Sequence, residues 1–508
     1  MIFRRPLTLN LRPAALVIFT GLTLAGCGQS PRLGSSTSGV NLPGASGTTY
    51  PGAPGSGETS IVAALPAGAE DTNTLTPETR TIRVADLPKP SATPDVNNPP
   101  QVVARPDGAK LSVPAGFAVY EWARDLENPR AVAVAPNGDV FVTESGPGRV
   151  VVLKDANNDG KAEAKEVFAD GLKQPFGVAF YPPGSPSPTH VYVANTDSVV
   201  RFAYKNGDLK ATGKAETIVS DLPGGGYNQH WTRNIAFRPD GKKMYVSVGS
   251  QSNASEGEDE KRAAVLEYNP DGTGYRVFAS GLRNPVGIAF QPQTNTLWAA
   301  VNERDGLGED LVPDYVTSVR ENGFYGWPYT YLGANDEPRL PDKPELAQKA
   351  IVPDVLIGSH AAALGLAFYT GASFPSAYKN GAFVALHGSW NRAERSGYQV
   401  VRVPVGADGK AAGGYEEFLS GWKTKDGTVW GRPVAVAVDK QGGLLITDDG
   451  ANKVWRVLYG GEKAVAAARK QNPATATVTN ATKPSEAATA PALDANKPSD
   501  GAPTAAGK

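Results

Sequence analysis

Cysteine, histidine and methionine are scarce in this chain of 508 residues, which has one, four and two of them respectively. A single cysteine excludes an internal disulfide and any zinc or iron–sulfur site built from several cysteines. An excess of either charge is also lacking, because 50 Lys and Arg face 51 Asp and Glu and no basic block occurs. Binding to nucleic acid, which needs a basic surface, is therefore not expected.

Glycine and proline, in contrast, are abundant. There are 57 glycines and 42 prolines, together about a fifth of the chain, whereas about 12% is usual. Both residues disrupt helices, so a helix-rich fold is not expected. The composition favours a β protein with many turns, a chain with long disordered linkers, or both together.

The first 27 residues have the pattern of an export signal. Three arginines precede an apolar run, residues 14–24, that is too short to span a membrane stably. The run is followed by Ala-Gly-Cys, ending at Cys27, which resembles the cleavage box of bacterial lipoproteins. The resemblance implies lipidation of Cys27 and, with glycine at position 28, an anchor in the outer membrane facing the periplasm. An ordinary signal peptide with an incidental cysteine is the alternative.

Composition divides the remaining chain into three segments. Residues 28–106 are rich in Gly, Pro, Ser and Thr and have few large apolar side chains, which predicts a flexible tether. Residues 107–460 contain the apolar runs of a folded domain. Residues 461–508, rich in Ala, Pro, Thr and Lys, predict a disordered tail, apart from a short helix near 463–470.

One pattern recurs six times in the folded segment: a short apolar strand, a turn with Pro, Asp or Gly, and a second apolar strand. The turns predict β-hairpins, and periods of about 40–50 residues with inserted loops are typical of propeller blades. The sequence therefore predicts an all-β fold, a six-bladed β-propeller. The repeats begin at Asn128, Gln174, Arg233, Asn284, Ala363 and Arg432.

Polar residues precede or begin the first strand of several repeats. In a propeller that strand lines the central channel, so these residues should lie together on one face, near the axis. A ring of cationic and amide groups there predicts binding of a compact anionic ligand. The alternative is that the side chains only cap strands and connect blades. The residues concerned are Asn128, Gln174, His230, Arg283, Asn284 and Arg432.

Four sequence blocks, taken together and in order, resemble one enzyme family. They are GLRNPVG (281–287), NERD with YGWP (302–305 and 325–328), HGSWNR (387–392) and WGRPVAVAVD (430–439). These blocks are similar to the quinoprotein sugar dehydrogenases, in particular the L-sorbosone and soluble aldose dehydrogenases. The resemblance implies a propeller that holds pyrroloquinoline quinone (PQQ) and Ca²⁺. It also implies oxidation of C1 of an aldose or aldehyde, with electrons passing to an external cytochrome or quinone.

The same resemblance implies roles for individual residues. His230 matches the catalytic base, and a neutral imidazole suits proton removal near pH 7. His190 and His387 are expected to be structural. Calcium is expected at Asp305, Gly306 and Asp310. Residues expected to bind PQQ are Gln174, Arg283, Asn284, His360, Arg392 and Arg432, with Asn391 as the alternative match to Arg392.

Two departures from the family pattern leave other functions open. Arg304, Asp305 and Gly306 stand where the glucose-oxidising relatives have a Gln-Gly-Pro calcium segment, and Ser250 replaces the aspartate that orients the base. A calcium-dependent propeller lactonase is one alternative function. The other is a propeller without catalytic activity that binds glycans or envelope proteins.

A further calcium signal lies outside these blocks. Asp155, Asn157, Asp159 and Glu166 have the spacing of a twelve-residue EF-hand loop. The flanking sequences, VVVLK and EVFAD, predict strands rather than helices. A polar hairpin turn is therefore the favoured interpretation, with a weak calcium site as the alternative.

Overall fold

The computed structural model describes residues 65–157, 159–224 and 230–470. Six antiparallel sheets in this part of the chain are built in sequence order and arranged as the blades of a propeller. The innermost strands of successive blades contact one another in a closed ring, with that of blade 6 returning to that of blade 1. The predicted all-β, six-bladed propeller is confirmed.

The blades share one strand order, which runs from the axis outward. Blade 1 consists of Pro129–Val134, Val140–Glu144, Arg149–Lys154 and Ala164–Ala169. Blade 2 consists of Val178–Tyr181, His190–Ala194, Val199–Ala203 and Glu216–Val219. Blade 3 consists of Arg233–Phe237, Met244–Val248, Ala264–Tyr268 and Arg276–Ser280. Blade 4 consists of Asn284–Phe290, Leu297–Asn302, Pro313–Ser318 and Val355–Ser359. Blade 5 consists of Ala363–Phe368, Ala382–Leu386, Gln399–Val403 and Tyr415–Leu419. Blade 6 consists of Pro433–Val438, Leu444–Asp448, Lys453–Tyr459 and Phe117–Ala123.

Blade 6 closes the ring with strands from both ends of the domain. Its outermost strand, Phe117–Ala123, precedes blade 1 in the sequence and pairs antiparallel with Lys453–Tyr459. Buried aromatic side chains fill the space beside this closure, and Phe117 makes edge-to-face contacts with Phe374 and Phe418 at 4.8 and 5.2 Å between ring centroids. Such contacts add to the burial of apolar area in stabilising the closed ring.

Glycines in the innermost strands let neighbouring blades approach closely at the axis. A Cβ on Gly287 would lie 2.2 Å from the carbonyl oxygen of Leu364, and one on Gly365 would lie 2.4 Å from the Cα of Ala435. No side chain can be accommodated at such distances. Part of the glycine excess in the folded region is therefore required by the packing around the axis.

Short elements outside the blades complete the described structure. Asn73–Leu75 pairs in parallel with Ser112–Pro114, Thr79–Arg80 extends blade 5, and Gly323–Phe324 extends blade 3. Thr330–Tyr331 pairs with Asn335–Asp336. The helices are Pro344–Ala347 and Gly461–Lys470, with 3₁₀ turns at Val84–Asp86 and Ser376–Tyr378. No helix among the described residues is long and apolar enough to cross a membrane.

The described part of the predicted tether, residues 65–106, lies against the propeller rather than extending from it. Thr79–Arg80 pairs with the outermost strand of blade 5, and Ala69 is fully buried. The expectation of a free tether is thus corrected for these residues. Main-chain hydrogen bonds to exposed strand edges hold them, and such bonds do not depend on apolar side chains.

The C-terminal segment adds one short helix to the described structure. The helix expected near 463–470 is present as Gly461–Lys470, and its Val465 and Ala468 are buried beside Ala118 and Tyr120. The predicted signal peptide with Cys27, the tether up to residue 64 and the tail beyond 470 lie outside the described residues.

Candidate functional site

A cavity of about 610 Å³ lies on the axis where the innermost strands begin. Every blade contributes to its lining, because each innermost strand starts at this face. The structure therefore brings together polar residues that are far apart in the sequence. Predicted site residues that line the cavity are Gln174, His230, Arg283, Asn284, Asp305, His360 and Arg432.

Four of the thirteen non-glycine residues with positive φ angles in the described structure line this cavity. Asn128, Gln174, His360 and Ala362 all have positive φ angles, at 54°, 46°, 59° and 56°, and all four line the cavity. A left-handed conformation costs a non-glycine residue about 1–2 kcal/mol. Residues held in this way are typical of functional sites, where the surrounding structure fixes a side chain in an unfavourable conformation.

His230 is buried and oriented by Ser250. Its Nδ1 lies 2.9 Å from the Ser250 carbonyl oxygen and 3.0 Å from the Ser250 Oγ, which itself donates to the Ser252 carbonyl oxygen at 2.6 Å. Both Ser250 atoms thus act as acceptors, which assigns the proton to Nδ1 and the basic lone pair to Nε2. Burial, reinforced by the charge of Arg283, lowers the pKa of His230 to about 3, so the imidazole is neutral at pH 7.

A charged cluster at one side of the cavity centres on Asp305. Its carboxylate accepts hydrogen bonds from Asn391 Nδ2 at 2.7 Å and Arg283 Nη2 at 3.4 Å, and lies 3.1 Å from His360 Nδ1. Burial opposes protonation of His360, but the hydrogen bond to Asp305 raises its pKa above the ordinary value. The cluster holds Arg283 and His360 at the cavity wall.

A second charged cluster lies across the cavity, where blade 6 meets blade 1. Asp449 forms an ion pair with Arg130 and accepts from His387 Nε2 at 2.8 Å, while Arg432 Nε donates to the His387 carbonyl oxygen at 3.3 Å. Despite burial, the charges of His387 and Arg130 lower the pKa of Asp449 well below its usual range. Burial lowers the pKa of His387 to about 4.

Most of this second cluster is not identified by the sequence analysis. Of its members only Arg432 is a predicted site residue, and His387 was expected to be structural. Arg130 is the second residue of its inner strand, and the equivalent position in blade 6 is Val434. The repeat pattern therefore carries no signal for Arg130. The contact with Asp449 depends on closure of the ring.

Several buried polar atoms at the cavity lack a hydrogen-bond partner among the described residues. They are Arg130 Nε, Thr232 Oγ1, Asn284 Oδ1 and Asn391 Oδ1, and all four residues line the cavity. Each residue is buried, and burying an unpaired polar atom costs about 1–3 kcal/mol. Their convergence on one cavity indicates that a polar ligand completes the hydrogen bonding there.

The structure places three predicted site residues away from this cavity. Arg392 points to the outer side of its loop, where Nη2 contacts Asp310 at 3.0 Å, so Asp310 is also engaged there. The adjacent Asn391 lines the axial cavity, where its Nδ2 donates to the Asp305 carboxylate. The structure therefore places Asn391, and not Arg392, at this cavity. Gly306 lines a neighbouring cavity.

The residues expected to hold calcium do not offer an open set of oxygen atoms. The Asp305 carbonyl oxygen accepts from Asn253 Nδ2 and Arg339 Nη1, both at 2.8 Å, and the Gly306 carbonyl oxygen lies 3.3 Å from the same Arg339 nitrogen. Calcium requires six to eight oxygen ligands. Here a guanidinium occupies the position beside the two carbonyl groups, so these residues do not fit the ion in this arrangement.

The EF-hand-like loop connects two strands of blade 1, as the flanking sequences predict. Asp155 and Asp159 lie near Glu163, with one carboxylate oxygen of each within 4.8 Å of the others. Glu166, which should supply the last ligand, instead faces Lys210 at 3.2 Å. The loop follows the third strand, which runs away from the central cavity, so it lies at the opposite face of the propeller.

Fold and site together define a class of protein: a six-bladed propeller with a polar, strained cavity at one end of its axis. A family model described as TrAA12-like matches residues 111–322 and 336–460. The chain belongs to this family.

Individual relatives agree with the family assignment. The chain is 28% identical over 360 residues to an uncharacterized protein of Borreliella burgdorferi, covering 69% of this chain and 91% of that protein. It is 24% identical over 343 residues to the pyrroloquinoline quinone-dependent pyranose dehydrogenase of Coprinopsis cinerea, covering 58% of this chain and 45% of that enzyme. The chain thus spans less than half of the enzyme's length.

A solved structure matches the same region. The holo form of the PQQ domain of the Coprinopsis cinerea pyranose dehydrogenase superposes with a TM-score of 0.58 at 22% identity, covering 70% of this chain and 98% of that domain. At this identity the likeness shows a shared fold.

Proposed function

We propose that the protein is a PQQ-dependent dehydrogenase that oxidises an aldose or aldehyde at C1. The observation that carries the proposal is the convergence of three arginines and four unpaired buried polar atoms on one axial cavity of about 610 Å³. This size is within the range of about 300–1,000 Å³ usual for cofactor and ligand sites. The named relative with a PQQ domain supports the same conclusion.

The charge of the cavity suits a tricarboxylate such as PQQ. Arg130, Arg283 and Arg432 lie around the wall, and guanidinium groups bind carboxylates in a directional way. Of the acidic residues in the lining, Asp305 and Asp449 are already paired, while burial raises the pKa of Asp314 and reduces its negative charge. The balance favours an anionic ligand.

The amides in the wall suit the polar edge of the same cofactor. Gln174, Asn284 and Asn391 line the cavity, and the Oδ1 atoms of both asparagines lack partners among the described residues. We infer that these groups and the arginines hold PQQ. When bound, PQQ would supply an ortho-quinone that accepts two electrons as hydride from the substrate C1.

His230 is the group that we propose as the general base. Its proton is held on Nδ1 by the Ser250 carbonyl oxygen at 2.9 Å, so Nε2 can take the proton from the C1 hydroxyl group of a cyclic aldose or of an aldehyde hydrate. Ser250 therefore orients the base with two acceptors in place of a carboxylate. The lowered pKa of His230 keeps the base neutral throughout the physiological range but also limits its strength.

Calcium, which the resemblance also implies, is not part of this mechanism. The carbonyl groups of Asp305 and Gly306 already accept from Arg339, and no step needs the ion. Reconstitution with and without Ca²⁺ tests this directly.

Reconstitution of the purified chain tests the proposal. PQQ binding is measured by tryptophan fluorescence, and reduction of an artificial electron acceptor is measured with a panel of aldoses and aldehydes. We expect saturable binding, which Arg432→Gln weakens at least tenfold. Arg392→Ala, a change of the same residue type outside the cavity, should leave binding unchanged. Failure of the wild-type chain to bind PQQ would contradict the proposal.

The same experiment separates the alternative functions. A propeller lactonase would hydrolyse lactones in the absence of PQQ and would need Ca²⁺. A propeller without catalytic activity would bind glycans or envelope proteins but would not reduce the acceptor with any substrate.

We also propose that the enzyme acts in the bacterial envelope, anchored by a lipid on Cys27 and facing the periplasm. The signal-like N-terminus supports this location. In the envelope, electrons would pass from the enzyme to a separate cytochrome or quinone. Incorporation of a labelled fatty acid, lost in Cys27→Ser, tests the anchor. Labelling that persists in this variant would contradict it.

A further inference from the structure

The segment 91–102, referred to here as the strap, crosses the face of the propeller beside the axial cavity. The Ser91 amide donates to the Leu307 carbonyl oxygen at 2.7 Å, and the Asp95 carboxylate accepts from the Gly308 amide at 2.8 Å. The strap thereby connects to the loop that carries Asp305 in blade 4.

The strap is also tied to blade 5 on the other side of the cavity. The Asn98 amide donates to the Trp390 carbonyl oxygen at 2.7 Å, and Asn98 Nδ2 donates to the Arg392 carbonyl oxygen at 2.9 Å. Arg395 Nη2 donates to the Pro99 carbonyl oxygen at 2.9 Å. These bonds fix the main chain of Trp390, whose side chain is 37% exposed.

A second cavity of about 380 Å³ lies between the strap and these two loops. Asp95, Val96 and Asn97 form its wall on the strap side. The two cavities adjoin, because four residues line both of them. The shared residues are Asp305, His360, Trp390 and Asn391.

The strap lies outside the region that the family model matches. The family match begins at residue 111, so residues 91–102 lie outside it. Features outside the shared fold are where differences in specificity between relatives are to be sought, because loops on a common scaffold carry specificity.

The lining of the second cavity has the chemistry of a sugar-binding surface. Asp95 and Asn97 offer a carboxylate and an amide for hydroxyl groups, and Trp390 offers an indole that lines both cavities. An aromatic side chain with an apolar face and a polar edge suits the C–H face of a pyranose ring. A volume of about 380 Å³ is at the lower end of the range for ligand sites, roughly 300–1,000 Å³.

We propose that the strap forms a second sugar subsite. The subsite takes the glycosyl unit attached to the one that is oxidised in the axial cavity, so the preferred substrates are oligosaccharides with a free reducing end. This inference rests on the proposed function for the identity of the neighbouring site. Asn97 contacts the second sugar unit, and the main-chain amide of Asn98 helps to position Trp390.

The test compares binding of glucose with binding of cellobiose and maltose to the full chain without PQQ, by titration calorimetry. At least one disaccharide should bind threefold to tenfold more tightly than glucose. Asn97→Ala should reduce that preference to less than twofold, and Val96→Trp should abolish it by filling the cavity. Neither variant should change the affinity for glucose. Asn206→Ala, which alters an exposed asparagine in a loop at the opposite face, is the matched control.

Three results would overturn the subsite. The first is that neither disaccharide binds, and the second is that Asn97→Ala loses affinity for glucose and for the disaccharide equally. The third is that Asn97→Ala and Val96→Trp both unfold at the same temperature as the wild type and keep its preference for the disaccharide. The titration contains no PQQ, so its outcome does not depend on whether the protein binds PQQ. Failure of the dehydrogenase proposal is detected instead by the PQQ-binding experiment. In the reconstituted enzyme, Asn97→Ala should raise KM for the disaccharide and leave kcat unchanged.

Discussion

Replacing Asp449 by asparagine removes the carboxylate that joins two blades across the closure of the ring. The change keeps the size of the side chain but leaves Arg130 without its counter-charge. The Arg130 and Asp449 side chains retain only 8% and 9% of their exposure to solvent, so solvent screens the unpaired charge of Arg130 only weakly.

The magnitude of the effect can be worked out from this burial. Breaking a buried ion pair on one side costs about 3–5 kcal/mol, and the asparagine amide recovers part of the hydrogen bonding. We therefore expect Asp449→Asn to lower the free energy of unfolding of the PQQ-free protein by about 3 kcal/mol, measured by urea denaturation.

PQQ should restore more stability to this variant than to the wild type. An anionic ligand can neutralise the unpaired Arg130, and a unit charge about 8 Å away is worth about 2 kcal/mol at an effective dielectric constant of about 20. Tighter binding increases the stabilisation by ligand. We expect the PQQ-induced rise in unfolding free energy to be larger in Asp449→Asn by about 1–2 kcal/mol.

Asp439→Asn provides the matched control. Asp439 forms an equally buried pair with Arg456 in the same blade, at 2.6 Å and 6–7% exposure, but does not line the cavity. Asp439→Asn should lower the free energy of unfolding by a similar amount without changing the stabilisation that PQQ provides. An equal or smaller response to PQQ in Asp449→Asn than in the wild type would refute the electrostatic reasoning.

Four further predictions follow from the same site. His230→Gln should lower kcat by about 10²–10⁴-fold with PQQ affinity unchanged. Ser250→Ala leaves the carbonyl acceptor in place and should lower kcat less than tenfold. Equal losses of kcat in the two variants would contradict the assigned tautomer. Burial holds the pKa of His230 and His387 at about 3 and about 4, below the ordinary value of about 6.5. Protonation of these two histidines therefore favours the unfolded state, and each should contribute a loss of about 1 kcal/mol to the stability to urea at pH 5.5. Between pH 7 and pH 5.5, His387→Gln should accordingly gain about 1 kcal/mol of stability relative to the wild type. Dye reduction should persist in EGTA, and a strict requirement for Ca²⁺ would contradict the arrangement at Asp305. Arg283→Lys should weaken PQQ binding at least tenfold, because lysine cannot reproduce the bonds to Asn253 and Asp305; unchanged affinity would remove Arg283 from the proposed site.

The propeller and much of its axial site could be predicted from the sequence because their signals are local. Each blade carries its own turn residues and apolar strands. The repeat pattern alone predicts that a residue near the start of an innermost strand, such as Gln174 or Arg432, lies at the cavity. The resemblance to quinoprotein dehydrogenases adds His230.

What the sequence could not reveal depends on long-range contacts. The Arg130–Asp449 pair joins residues from opposite ends of the domain and exists only in the closed ring. The choice between Asn391 and Arg392 depends on the direction in which one loop leaves its strand. The strap is held mostly through main-chain atoms, as in the bond from Asn98 to Trp390, so its composition resembles that of a linker.

The shared strands of blade 6 also have a consequence for folding. Phe117–Ala123 cannot pair until Lys453–Tyr459 has been synthesised, so the last blade, and with it the Arg130–Asp449 contact, forms only when the whole domain is available. Contacts between residues so distant in sequence form slowly, because the entropy of closing a long loop must be overcome first. The export that we propose for this chain would benefit from such a delay, since it keeps the domain open and threadable until translocation is complete.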